Sequence, residues 1–171
     1  MTKEQRTVAI GAVSGIVMMV VLVWAIGTFL PQPNVHDTFG DRIAYALRWS
    51  VVAALPLFIM IAAVGNARFL GKAIDPTQHK EDHKLIVNGR VADNTTQQFL
   101  LFLVGITALS TVLPIQKIGY VAAVAVTFVV CRIVFWVGYR IEPLYRAPGF
   151  ASTAYLNLGM FIAVLWIRLS T

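Results

Sequence analysis

The sequence is poor in cysteine, histidine and acidic side chains. Only 13% of its 171 residues are charged, and 14 lysines and arginines outnumber 8 aspartates and glutamates. The single cysteine, Cys131, excludes an intrachain disulfide. The low charged fraction excludes an ordinary soluble domain, in which about a quarter of residues are charged. No Ser/His/Asp arrangement, dinucleotide fingerprint or phosphate-binding glycine loop is present, so these enzyme classes lack support.

Apolar residues make up 58% of the sequence and are concentrated in five runs. The runs cover residues 7–30, 44–69, 99–113, 118–137 and 153–167. A membrane helix needs about 20 residues. The third run reaches that length if its helix begins near Val91, and the fifth if its helix extends from Ala151 to Leu169. These runs predict an all-α membrane protein, a bundle of five transmembrane helices.

The first run is long for a secretory signal peptide. Lys3 and Arg6 precede it, as they would in a signal peptide. Its apolar stretch exceeds the usual 7–15 residues, however, and no clear small-x-small cleavage site follows. We therefore interpret it as a membrane helix. Gly11 and Gly15 form a Gly-x-x-x-Gly pair, which either permits close contact with another helix or is merely tolerated in the membrane.

The positive charge is distributed unevenly between the connectors. With the N-terminus in the cytoplasm, one side collects most cations: Lys3, Arg6, Arg68, Lys72, Lys80, Lys84, Arg90, Arg140 and Arg146. The opposite side collects Arg42, Lys117 and Arg168. The positive-inside rule then predicts a multi-pass protein with a cytoplasmic N-terminus and a C-terminus on the opposite side. The net charge of +6 is explained by this topology, and no nucleic-acid-binding motif is present.

Polar side chains lie at the start of the third apolar run. Arg90, Asn94 and Gln97 have the spacing i, i+4 and i+7, which places them on one face of a helix. An unpaired polar group in hydrocarbon costs several kcal/mol. We therefore expect this face to contact another helix or a ligand.

The end of the fourth run repeats this arrangement. Arg132, Phe135 and Tyr139 share a helix face, and Arg132 lies inside the predicted membrane boundary. Four arginines from separate segments are expected to converge on the cytoplasmic side: Arg68, Arg90, Arg132 and Arg146. Such a pocket suits a small polycarboxylate or a phosphate head group. The alternative is a set of interfacial arginines that satisfy the positive-inside rule and bind anionic lipid.

These motifs resemble those of the MAPEG family, the membrane-associated proteins in eicosanoid and glutathione metabolism. The matching residues are Arg90-x-x-x-Asn94-x-x-Gln97, then Arg132-x-x-Phe135-x-x-Gly138-Tyr139, then Arg146. The resemblance divides the chain into residues 1–43, an additional N-terminal helix with its connector, and residues 44–171, a MAPEG-like four-helix domain.

The resemblance implies a homotrimer that binds glutathione between neighbouring subunits on the cytosolic side. The tripeptide would be held by Arg68, Arg90, Asn94, Gln97, Arg132 and Tyr139. Arg146 would be the catalytic residue, because a guanidinium beside the thiol favours the thiolate. The implied activity is a transferase or peroxidase that acts on hydrophobic electrophiles dissolved in the bilayer.

The sequence also departs from the family pattern. Gln97 replaces a glutamate, which removes the anion expected to pair with an ammonium group of the ligand, and Gln98 and Phe135 stand where many active members have tyrosine. Whether the protein is an enzyme is therefore left open. The second hypothesis is a non-catalytic MAPEG-fold protein that binds lipid or serves as a subunit of a larger membrane complex. A transporter has less support, because no inverted repeat is evident.

Two histidines in the longest polar connector have a spacing that suits a metal on a helix. His79 and His83 are four residues apart, but no third ligand is evident nearby. We interpret this segment as a solvated turn and predict no metal site. Cys131 is interpreted as a packing residue, because no adjacent histidine would activate its thiol.

Overall fold

The computed structural model describes residues 1–170 and is built from five long helices. They are α1 (Lys3–Phe29), α2 (Phe39–Leu70), α3 (His83–Val112), α4 (Gly119–Ile141) and α5 (Ala147–Leu169). Each is long and apolar enough to cross a membrane, and residues 1–170 contain no strand. The predicted all-α membrane bundle is therefore confirmed.

Side-chain caps start the first three helices earlier than the apolar runs alone indicate. The Thr2 hydroxyl accepts a hydrogen bond from the backbone N–H of Gln5, and the Gln5 side-chain oxygen accepts one from the backbone N–H of Thr2, which forms a capping box. The Asp82 carboxylate accepts the Leu85 backbone N–H at 2.7 Å. Because this cap sets the start of α3, the helix begins at His83 and not near Val91, which brings Arg90 well inside it.

A short connection joins α4 to α5 and positions Arg146. The chain makes a 3-10 turn over Pro143–Arg146 and enters α5 at Ala147, four residues before the predicted start at Ala151. Gly138 and Gly149 make this compact turn possible. A Cβ atom on Gly138 would overlap the Tyr145 carbonyl, and one on Gly149 would overlap the backbone of Phe135.

The helix α4 lies at the centre of the bundle and packs against all four other helices. Two apolar clusters lie along it. One contains Phe102 and Phe128, whose ring centroids are 4.4 Å apart, and the other contains Phe135 with Met60 and Val91. Both clusters are buried within the bundle, whereas α1 and much of α2 expose apolar side chains that require lipid.

A polar layer separates the two apolar clusters. At its centre the Arg132 side chain is fully buried. Its guanidinium donates to Thr153 Oγ1 at 3.0 Å, Thr95 Oγ1 at 2.9 Å and Asn94 Oδ1 at 3.0 Å. The ring centroid of Phe135 lies 4.0 Å from its central carbon. No carboxylate takes part within residues 1–170, so neutral oxygens and a ring face stabilise the buried cation.

The helix α1 packs on α4 and α5 through glycines. A Cβ atom on Gly15 would overlap the Pro148 carbonyl, and one on Gly11 would lie 3.1 Å from Ala147 Cβ. Near the other end of α1, Gly27 lies directly against the Tyr120 ring. The close-contact interpretation of the Gly11 and Gly15 pair is therefore confirmed, and the partner surface is the start of α5.

We expect Gly15→Leu to displace α1 from the start of α5. Overpacking of this kind costs about 1–3 kcal/mol. Gly65→Leu is the matched control, because a Cβ atom there meets nothing within 4 Å. Thermal unfolding of the purified protein in detergent, followed by circular dichroism, should show a lower midpoint for Gly15→Leu alone. Equal midpoints for both variants would contradict this packing.

We expect Arg132→Lys to be more destabilising than Arg132→Met. A lysine keeps the buried charge, but its single ammonium nitrogen cannot reach the three acceptors that the two terminal guanidinium nitrogens reach, which costs about 3 kcal/mol or more. Methionine removes the charge, while Thr95 and Thr153 keep their own backbone acceptors, Val91 O and Gly149 O. Denaturant unfolding of both variants measures the order. A lysine variant as stable as the wild type would refute it.

Candidate functional site

A cavity of about 440 Å³ opens near the C-terminal end of α4, between α1, α3, α4 and α5. Its polar groups come from α3, the end of α4 and the turn before α5. Its apolar wall comes from α1 and the first turns of α5. The lining residues are Val8, Ala12, Arg90, Asn94, Phe135, Tyr139, Leu144, Arg146, Ala147, Phe150 and Ala151.

Arg146 is held in this cavity by Tyr139. Its Nη1 donates to the Tyr139 hydroxyl at 2.9 Å, and its guanidinium carbon lies 4.9 Å from the Tyr139 ring centroid. The Tyr139 ring packs edge-on against Phe135 at 5.8 Å between centroids. Because one side of the guanidinium is occupied in this way, the other donors of Arg146 are oriented and available to an anion.

The Asn94 side chain is held in position by a hydrogen bond from Arg132 in the buried polar layer. Its Oδ1 accepts the hydrogen bond from Arg132, so the amide nitrogen is the polar group left for a ligand. Arg90 lies one turn earlier on the same helix and is exposed at the cavity. The spacing of these two residues predicted that they would share a face, and both line the cavity.

The cavity brings together Arg90, Asn94, Tyr139 and Arg146 but not the other predicted ligand-binding residues. Arg68 forms an ion pair with Glu81 at 3.0 Å. Gln97 is exposed on α3 and does not line the cavity. Arg132 lies behind the cavity and contacts it through Asn94 and Phe135. The expected convergence of four arginines is therefore reduced to two, Arg90 and Arg146.

The cavity carries positive charge in mostly apolar surroundings. No aspartate or glutamate is among its lining residues in the part of the chain that the structure describes. Two guanidiniums without a facing carboxylate favour an anionic ligand, and the low polarity of the wall strengthens their attraction for it. The apolar side of the cavity suits a hydrophobic group.

Several residues that shape the site were not predicted. Thr95 and Thr153 accept hydrogen bonds from Arg132, and the Trp136 indole donates to Asn88 Oδ1 at 2.9 Å. A threonine in a membrane helix gives no specific sequence signal, because its hydroxyl can satisfy itself on the preceding turn. Val8 and Ala12 of α1 also line the cavity. The glycine pair at 11 and 15 was the only indication that α1 would pack closely.

The histidine segment forms an ordered turn away from the cavity. Asp75 caps the 3-10 turn Pro76–Gln78, and hydrogen bonds from the Thr77 hydroxyl and backbone hold the pKa of its carboxyl below the ordinary value. His79 then adopts a left-handed conformation, with φ of 50°, and His83 begins α3. Residues 1–170 contain no group of three or more potential metal ligands.

The chain is similar to curated proteins of mammals. It is 23% identical over 166 residues to Transmembrane protein 79 of Mus musculus, covering 94% of this chain and 41% of the relative. It is 26% identical over 155 residues to Transmembrane protein 79 of Bos taurus, covering 87% of this chain and 38% of the relative. The chain thus spans less than half the length of these relatives. No solved structure is significantly similar to it.

The sequence profile of the MAPEG family matches residues 46–166. This range contains most of α2, all of α3 and α4 and nearly all of α5, and leaves out α1. It therefore includes every polar residue of the cavity, whereas the two α1 residues of the wall lie outside it. Because the match covers more than half of its residues, the chain belongs to the MAPEG family, and α1 packs on the matched helices from outside that range.

Proposed function

We propose that the cavity binds glutathione or a related thiol and that the protein transfers it to hydrophobic electrophiles. The observation that carries this proposal is the pair Arg90 and Arg146 in an otherwise apolar cavity, with Arg146 oriented by the Tyr139 hydroxyl. The guanidiniums would bind the carboxylates and the sulfur of the thiol ligand, and the apolar wall would receive the electrophile from the bilayer.

The chemistry requires only a thiolate held beside an electrophile. Arg146 favours the charged form of the ligand's thiol, whose ordinary pKa is about 8.5, and so lowers its pKa. In the transferase reaction the thiol proton passes to solvent, the thiolate forms a carbon–sulfur bond, and the leaving group departs with its electron pair. In the peroxidase reaction two thiols become a disulfide while a hydroperoxide is reduced to an alcohol and water. No protein side chain is covalently modified in either reaction.

The exposed face of α3 supports assembly into an oligomer. Arg90, Asp93 and Gln97 are all exposed on this helix, although α3 is one of the membrane-spanning segments. Polar side chains at this depth require polar partners. We propose that neighbouring copies cover this face in a homotrimer, which would bring a second wall to the open side of the cavity.

A second candidate function is supported by the small number of cationic groups in the cavity, because two of the four predicted arginines do not face it. Arg68 is neutralised by Glu81, and Arg132 is committed to the polar layer. The remaining two arginines and the apolar wall would also suit an anionic lipid. The protein would then be a non-catalytic lipid-binding member of the family, or a subunit of a larger membrane complex.

We expect Arg146→Ala to slow thiol conjugation about tenfold or more near neutral pH while leaving the protein folded. The apparent pKa in the rate profile should rise toward about 8.5, because the guanidinium no longer stabilises the thiolate. The assay measures conjugation of glutathione to a hydrophobic aryl halide from about pH 6 to about pH 9, a range that includes the ordinary thiol pKa. Arg140→Ala is the control, since Arg140 is exposed near the same end of α4 but does not line the cavity. Equal rates for the two variants would contradict the assigned role, and absence of conjugation by the wild type would favour the lipid-binding candidate.

We expect Gln97→Glu to strengthen glutathione binding about tenfold or more, because it restores an anion for the ammonium group of the ligand. Gln97 does not line the cavity of a single chain, so this gain requires the α3 face to meet the ligand in the assembled protein. Calorimetry at millimolar glutathione measures the affinity. Gln116→Glu, at the opposite end of the bundle, should change nothing. No gain from Gln97→Glu would argue against a glutathione site shared between copies.

A further inference from the structure

A second cavity, of about 450 Å³, lies beneath α1 in the half of the bundle away from Arg146. Its walls come from α1, α3, α4 and α5, and they are almost entirely apolar. Met19 and Val23 line it from α1, and Gly159 and Met160 line it from α5. None of its lining residues lines the first cavity, so the two sites are separate.

The second cavity is flanked by two close contacts of α1. Gly15 lies against Pro148 on one side of it, and Gly27 lies against Tyr120 on the other. Between them Gly159, which also lines the cavity, is exposed, and a Cβ atom there would meet nothing within 4 Å, so the cavity is open to the surface of the bundle at this position. The helix α1 cannot move closer to fill this space without bending, because its backbone already touches Pro148 at Gly15 and the Tyr120 ring at Gly27. A volume of this size lies within the range of about 300–1,000 Å³ found for ligand sites.

A single cation marks one end of the second cavity. Lys117 belongs to the 3-10 turn between α3 and α4, is exposed, and forms no ion pair within residues 1–170. Tyr120, the second residue of α4, also lines the cavity and can present its hydroxyl near the membrane boundary, whereas Tyr155 lines it from the interior of α5. An apolar slot between membrane helices with an unpaired ammonium at the end of the bundle has the polarity pattern of a phospholipid with an acidic head group.

We propose that this cavity binds one anionic phospholipid, with an acyl chain between α1 and α5 and the phosphate on Lys117. The wall disfavours a polar ligand, because apart from Lys117 and the hydroxyls of Tyr120 and Tyr155 its side chains offer no hydrogen-bond partners. The unpaired ammonium selects an acidic head group over a zwitterionic one, in which the positive group offsets the phosphate. This site does not depend on the thiol chemistry proposed for the first cavity.

Lipid binding to purified protein tests the site directly. The probes are palmitoyl-oleoyl phosphatidylglycerol and the corresponding phosphatidylcholine, titrated into delipidated full-length protein and followed by native mass spectrometry. The wild type should bind one phosphatidylglycerol per chain roughly fivefold more tightly than phosphatidylcholine, the contribution of about one cation at a lipid surface. Equal affinity for the two lipids would overturn the assignment of an anionic ligand.

Two variants separate the acyl and head-group parts of the site. Gly159→Leu should obstruct the cavity and weaken phosphatidylglycerol binding, whereas Gly65→Leu, the same substitution at another exposed helix position, should leave the binding unchanged. Lys117→Gln should retain lipid but lose the preference for phosphatidylglycerol. Tight binding that survives Gly159→Leu, or a preference that survives Lys117→Gln, would overturn the proposal.

A measurement on the wild type keeps the test independent of variant folding. Phosphatidylglycerol carrying a diazirine on its acyl chain should, after irradiation, label the peptides that contain Met19 and Gly159, and excess unlabelled phosphatidylglycerol should suppress the labelling. Labelling spread evenly over the exposed faces of α1 and α2 would show only bulk lipid contact and would reject the site.

Discussion

The structure depends on a buried guanidinium that has no carboxylate to pair with. Arg132 on α4 is surrounded by oxygens from α3 and α5, and each hydrogen bond ties α4 to a neighbouring helix. Removing such a charge from water is costly, so the fold requires these oxygens to be in place together. The hydrogen bonds therefore fix the positions of α3, α4 and α5 along their axes. The two apolar clusters pack on either side of this fixed contact.

The hydrogen bonds of Arg132 also determine what the first cavity can bind. Arg132 holds the Asn94 oxygen, so Asn94 presents a donor to the cavity and not an acceptor. With Arg90 and Arg146, every charged or amide group available to a ligand is then a donor. A site made of donors, with no carboxylate of its own, selects for negative charge. The buried cation thus influences specificity without reaching the ligand.

Helix number and type were predictable because lipid imposes a long apolar run on each crossing. Helix starts were less predictable, since they depend on caps such as Asp82 that lie outside the apolar runs. Helical spacing correctly grouped Arg90 with Asn94, because that periodicity is a property of a single helix. It could not reveal that Glu81, in a polar connector, neutralises Arg68, because such contacts arise only when the connector folds back. Likewise, the packing of α1 on Pro148 depends on the shape of two surfaces at once.

The helix α1 links the two cavities physically. It lines the first through Val8 and Ala12 and the second through Met19 and Val23, on one continuous face. Its contact point between them is Pro148, which follows Arg146 closely in the chain. Most of the remaining α1 surface faces lipid, so a few close backbone contacts determine where the helix lies. Any displacement of α1 from Pro148 would therefore alter the wall beside Arg146 and the space beside Gly159 together, since a rigid helix cannot move at one site alone.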